Sequence, residues 1–458
     1  MHGPATDIEF LASMRGFLGA YYLTIAMLNV GAAWWSATRA RRSTDRSARR
    51  RGTACGLAWG GVAVLFSIQA FAAFSGRAEW TWLLNMPLSV RDALDRLMGP
   101  VVFVVGSTLL LLLCFLARRF ATLPAVAWAG LNVSLLLLGL SLSDRDFAAI
   151  VAKPDNVPIV GMVFLLGFFT WLATRKAVLN DARLAAGQIP LEAVDNEQVL
   201  VWPDLVYIEL ICMVILTAVL LAWSILLKAP LEEPASTVQT PNPSKAPWYF
   251  LGLQEMLVYF DPWMAGVAIP LLIIVGLIAI PYLDRNPRGN GYYTISERKF
   301  AYVTFQFGFL VLWIVLMLMG TFFRGPNWSF FGFYETWDVH KVEALNNVQL
   351  SERFWTDWLG KPLPVAAAGV GGLGRFGAIL LRESPGLVLL AVYYLLVPGV
   401  LTRALRPLRS LRTQLERGRY VVLMFLLLTM GLLPVKMLCR WLFNMNYFVS
   451  IPEYFLNF

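Results

Sequence analysis

Of 458 residues, 58% are hydrophobic and only 15% are charged, against the ~25% charge of a soluble domain. The apolar residues fall in blocks of about 20, the length that crosses ~30 Å of hydrocarbon. This excludes a soluble enzyme and makes the chain an all-α polytopic membrane protein. The net charge of +9 is gathered largely in two arginine-rich connections, where it sets orientation in a membrane and calls for no nucleic acid.

The chain opens on MHGPATDIEF, which lacks a small-residue cleavage site, so the first apolar block reads as a span and not as a signal peptide. Ten spans are predicted, at 13–35, 54–74, 98–117, 122–142, 157–174, 205–227, 264–283, 300–322, 384–402 and 420–440. The connection Ser36–Thr53 carries seven arginines and Arg403–Arg419 carries six. With the first of these in the cytoplasm, Arg118 and Arg119, Arg175 and Lys176, and the 284–299 and 403–419 connections all fall inside and are net positive. The connections 75–97, 143–156, 228–263 and 323–383 then fall outside, as do both termini, on the periplasmic side. The arginine runs read as topology determinants near anionic lipid, with a specific lipid or partner site as the alternative.

Residues 80–97, WTWLLNMPLSVRDALDRL, pair tryptophans with an amphipathic run suited to the headgroup boundary. Residues 323–383 are long for a loop, aromatic, and carry the glycine-rich AAAGVGGLG. In the first span Gly16, Gly19 and Gly31 allow close helix packing. The expected organisation is a five-span N-terminal unit, 1–176, a cytoplasmic linker, 177–203, a third unit, 204–322, and an outer loop with two further spans, 323–458. No cysteine of the four forms CxxC, and the two histidines are His2 and His340. Zinc, iron–sulfur and attached haem ligation are therefore unsupported, and no metal ligand is assigned.

The richest run is Ala229–Trp263, set between spans six and seven within the outer loop 228–263. Pro230, Pro234, Pro241, Pro243 and Pro247 forbid a continuous helix. Pro247 is then placed to start a new one, WYFLGLQEMLVYF, with 247, 251 and 255 on one face. Glu255 falls on an apolar, aromatic helix near membrane depth, where a carboxylate is costly and is a functional candidate by default. Two readings stand open: a pocket for an amphipathic ring, or a re-entrant structural helix with Glu255 capping or pairing.

Residues 202–322 resemble the C-terminal part of cytochrome b, which is encoded separately as subunit IV in the cytochrome complex of oxygenic photosynthesis. WPDLVYIEL resembles the opening WPNDLLY of that family. EPASTVQTPNPSKAPWYF resembles EPANPFATPLEILPEWYF without a gap, and IPYLDRNP resembles the turn that follows the next helix. The resemblance implies a quinol-oxidation site on the outer face, lined by a Pro-Glu-Trp-Tyr motif whose glutamate accepts a quinol proton. Here Ala246 and Pro247 stand at the Pro-Glu positions, while Trp248 and Tyr249 are retained. Glu255 is the expected replacement base, Tyr249 the quinone-positioning residue, and Pro247, Trp248, Phe250 and Leu251 the rest of the site. Asp261 is the exit candidate for the proton. Asp204 and Glu209, at the inner start of span six, suggest proton uptake or simply the preference of acids for a helix N-terminus.

A complete cytochrome b carries four histidines on its first helices for two b haems, and spans one to five here have none. The resemblance thus implies a haem-free, quinone-site half of a split bacterial cytochrome bc complex in the cytoplasmic membrane. Its partners would be a haem-b-bearing cytochrome b N-terminal subunit, a Rieske 2Fe–2S protein and haem-c-bearing cytochromes, in a dimeric complex. FFRGPNWSFFGFYETWD resembles extensions of bacterial relatives that work with menaquinone. The alternatives are a structural subunit that has lost quinol catalysis, or a transporter, although neither broken spans nor internal repeats are visible.

Overall fold

The computed structural model describes residues 4–195, 197–226, 234–284, 286, 291–342, 347–367, 369 and 371–458. His2, Pro230 and the rest of 227–233, Arg285 and Pro287 of IPYLDRNP, and Ala368 and Val370 of the glycine-rich patch lie outside the described residues. Among the described residues the fold is predominantly helical, with one two-residue strand pair, Ser450–Ile451 with Leu456–Asn457, and isolated bridges at Arg324–Phe330 and Val348–Met445.

Among the described residues, nine helices are long and apolar enough to cross a membrane. A further helix, Pro100–Leu116, follows Ala78–Leu97 across a 95° bend and brings the total to ten. In chain order the spans are α1 Glu9–Arg42, α2 Arg46–Ser75, α3 Pro100–Leu116, α4 Pro124–Ser141 and α5 Val157–Ala185. They continue with α6 Val201–Leu226, α7 Met264–Leu283, α8 Lys299–Phe323, α9 Ser384–Ala404 and α10 Arg417–Phe443.

The spans overrun their predicted ends where the sequence offers no breaker. Arginine is a good helix former, so α1 runs on to Arg42 and α2 begins at Arg46, with Asp45 as its N-cap. The α5 helix likewise continues to Ala185. Conversely, the helix expected through WYFLGLQEMLVYF is short. Trp248–Phe250 is one 3₁₀ turn, Leu251–Met256 is α-helical, and the chain turns at 257–260 before Asp261–Pro262. A residue that precedes proline resists the helical conformation.

Several connections meet in two separate clusters. In one the Arg91 guanidinium meets Asp144 at 2.6 Å. Tyr334 N donates to Asp95 at 3.0 Å, the Tyr334 hydroxyl shares a hydrogen with Ser141 at 2.8 Å, and its ring stacks on Phe147. Connections 75–97, 143–156 and 323–342 therefore interlock. In the other Asp181 accepts from Thr294, Ile295 and Ser296, and Tyr302 shares a hydrogen with Thr174.

Lipid is as apolar as leucine, so helix–helix burial between spans gains little from the hydrophobic effect. The largest core accordingly lies where aqueous connections fold onto span ends. Met256, Tyr259, Phe260, Met264, Leu316, Met319, Phe323, Phe330, Leu432 and Met437 belong to it. In the α1–α2 pair, a Cβ on Gly19 would stand 2.5 Å from Phe74, whereas Gly16 and Gly31 face open space. By contrast, none of the most apolar window of α6 is buried.

Candidate functional site

Leu251 and Glu255 are one turn apart and both face inward, at 3% and 0% exposure. The Glu255 carboxylate is held by four donors, two on each oxygen. Arg324 Nη2 lies at 2.7 Å and the Tyr259 hydroxyl at 2.9 Å from Oε1. Arg324 Nε lies at 2.9 Å and Trp328 Nε1 at 3.2 Å from Oε2. The guanidinium grips the carboxylate bidentately, the strongest form of this pair, and its Nη1 donates to the carbonyl of Trp328 at 2.9 Å. Burial, reinforced by the Glu255 charge, pushes the Tyr259 hydroxyl well above its ordinary range, so it remains a donor.

Desolvating such a pair is costly, and satisfying every lone pair and N–H is what makes it tolerable. The connection after α8 meets this need. Arg324 ends the helix, and Asn327 and Trp328 both adopt left-handed backbone, with φ of 58° and 57°. That conformation is uncommon for a residue with a Cβ and rare for a tryptophan. It is fastened from outside. Asn327 exchanges side-chain and backbone bonds with Asn242 and donates to the carbonyls of Val339 and Lys341.

Beside the cluster is an open cleft of about 740 Å³, lined by Val238–Ser244, Gln254, Leu257, Val258, Asn327 and Trp328. Gln254 closes the loop by accepting from Ala246 N and donating to the Ser244 carbonyl. Lys245 then reaches the Thr321 carbonyl at the end of α8, 2.8 Å away, and lies over the Trp337 ring. Burial lowers its pKa to about 7.

The other expected residues fall elsewhere. Pro247, Trp248, Tyr249 and Phe250 are exposed and outside the cleft lining, and the Tyr249 ring contacts those of Trp248 and Phe250. Asp261 accepts from Tyr447 and Asn457, anchoring the C-terminal tail. Asp204 and Glu209 are exposed on the bare α6, and His340 lies on an exposed loop. Sequence reasoning missed Arg324, Trp328 and Tyr259. Arg324 sits at the end of an apolar span, where snorkelling to water is the simplest reading, and nothing local signals a partner 69 positions away. Among the described residues no group of three or more His, Cys, Asp or Glu is placed to hold a metal.

Residues 234–337 match the family model described as cytochrome b(C-terminal)/b6/petD. The matched segment contains the Pro247–Glu255 turn, α7, α8, Arg324 and Trp328. No solved structure matches the chain.

Proposed function

We propose that this chain, with a cytochrome b C-terminal domain at residues 234–337, is the haem-free quinone-site subunit of a split bacterial cytochrome bc complex. In this reading quinol, menaquinol in the first instance, is oxidised at the outer loop. Its electrons pass to a Rieske 2Fe–2S protein and to haem b on a partner subunit, thence to cytochrome c, and its protons are released outside. The assembly is dimeric and lies in the cytoplasmic membrane. Glu255 is the proton acceptor, and Pro247, Trp248, Tyr249, Phe250 and Leu251 form the aromatic side of the loop that holds the quinone ring. Asp261 is the exit candidate, and Asp204 and Glu209 are candidates for uptake at the inner face.

The observation that carries the reading is a buried carboxylate on the family-matched loop, beside a cleft of ligand size. The uncovered α6 supports the partner. A span with none of its most apolar window buried offers a whole face to another subunit.

The rival reading is a structural subunit without quinol chemistry. It is favoured by Ala246 and Pro247 at the motif positions and by the full set of donors on Glu255. Glu255→Gln separates the two. General-base removal typically costs 10²–10⁴ in rate, so the variant complex should assemble with its haems yet lose quinol oxidation at least a hundredfold. Near-normal turnover would establish the structural reading.

A further inference from the structure

We infer that Trp328 is a positioning residue that admits quinol to Glu255 by giving up its hydrogen bond to Oε2. This rests on the reading of Glu255 as proton acceptor. A carboxylate has two oxygens and about four lone-pair sites. In the structure all four are taken: Arg324 Nη2 and Tyr259 on Oε1, and Arg324 Nε and Trp328 Nε1 on Oε2. Glu255 is fully buried and does not line the cleft. A quinol hydroxyl therefore has no free acceptor on this group until one donor leaves.

The four donors are not equivalent. Arg324 is bidentate, and its release would strand a buried charge. Tyr259 is itself buried, at 1% exposure, with its ring edge-on to Trp441. Trp328 makes the longest of the four bonds, at 3.2 Å. It is also the one donor that lines the cleft, so its departure opens a lone pair toward the space a ligand enters.

Its backbone favours that departure. Asn327 and Trp328 sit consecutively at positive φ, and strain of this kind persists only where surrounding bonds enforce it, typically at clamps and switches. The enforcing bonds come from Asn242, itself in the cleft wall, and from Arg324 Nη1 on the Trp328 carbonyl. A ligand that presses on the wall at Asn242 thus meets the clamp that holds Trp328 in place. Moving Trp328 frees Oε2 to accept the quinol hydroxyl, while Arg324 Nε and Nη2 keep the carboxylate in place.

The test uses the intact detergent-extracted complex, a short-chain menaquinol analogue, and a water-soluble carbodiimide with a tagged amine. Trp328→Phe removes the Nε1 donor and keeps an aromatic, though smaller, ring. A hydrogen bond to a charged group contributes enough to stability that its loss should lower KM for the quinol about tenfold, a gain that damage to the fold does not produce. Trp328→Ala should also open Glu255 to carbodiimide labelling, read by peptide mass spectrometry, whereas the native complex stays unlabelled at that position. A saturating quinone analogue should protect the opened carboxylate. Unchanged KM in Trp328→Phe would overturn the proposal, as would labelling of Trp328→Ala that a quinone analogue leaves unprotected. Should Trp328→Ala fail to assemble, the KM of Trp328→Phe decides alone. If Trp328 proves inert while Glu255→Gln still abolishes turnover, the admitting role fails and the proton-acceptor reading stands. If Glu255→Gln turns over normally, both fall.

Discussion

Lys245 shows how closely the outer loop is fitted at the level of single side chains. Its ammonium is bonded to the Thr321 carbonyl and covered by Trp337, and desolvation brings its pKa from the ordinary 10.5 down to about 7. Lys153 adds repulsion, whereas Asp155 and Glu255 favour the charge. The folded state therefore binds fewer protons at this site than the unfolded chain between pH 7 and pH 10.5. Stability rises with pH wherever the unfolded state holds more protons, so this contribution grows through that window and is level below it. Melting curves of the purified complex at pH 6.5 and pH 9 should differ less for Lys245→Met than for the native protein, with the larger gain for the variant at pH 6.5. An unchanged pH difference would show that the ammonium is not desolvated as the structure places it.

At the scale of elements, the C-terminal tail is held by backbone fit as much as by charge. A Cβ on Gly386, near the start of α9, would stand 1.9 Å from the Phe448 carbonyl oxygen. A buried bond and an exposed ion pair accompany this approach: Ser450 N donates to Glu383, and Arg382 grips Glu453 through Nη1 and Nη2. Gly386→Ala should cost about 1–3 kcal/mol by overpacking and release the tail. Limited proteolysis at 444–458 should be faster in the variant, with the spans left intact. The elements themselves were largely legible beforehand, because a run of about 20 apolar residues reports a span directly, and the helical segment before Pro100 was foreshadowed by the tryptophans and amphipathic pattern of 80–97. Span ends were not, because the helices continue through arginine-rich runs that hydropathy discards. Glu255 was legible as a carboxylate with no cheap place to go. Arg324 and Trp328 were not, since their roles depend on a left-handed turn and on contacts that no sequence window spans.

For the whole molecule, the uneven cover of the spans is the informative property. The α6 helix has none of its most apolar window buried, while the ends of α7, α8 and α10 share the main core. Cys212 lies exposed on α6 and is a native handle for this face. A thiol-directed photo-crosslinker on Cys212 should capture a haem-b-staining subunit in native membranes, and Cys212→Ser should abolish that adduct while leaving those from other cysteines. Capture of lipid alone would mean that α6 faces the bilayer and that the partner docks elsewhere.

The interlock at Tyr334 carries a consequence for how the molecule is made. Its four anchors, Met86, Asp95, Ser141 and Phe147, all leave the ribosome well before Tyr334 does. Domains form N-terminal first during synthesis. Met86, Asp95, Ser141 and Phe147 are thus already in the chain when the stretch bearing Arg324 and Trp328 emerges. That stretch is moulded on arrival rather than left to find its own shape. The first five spans, which carry no histidine, would in this way serve as the jig on which the loop bearing Arg324 and Trp328 is cast.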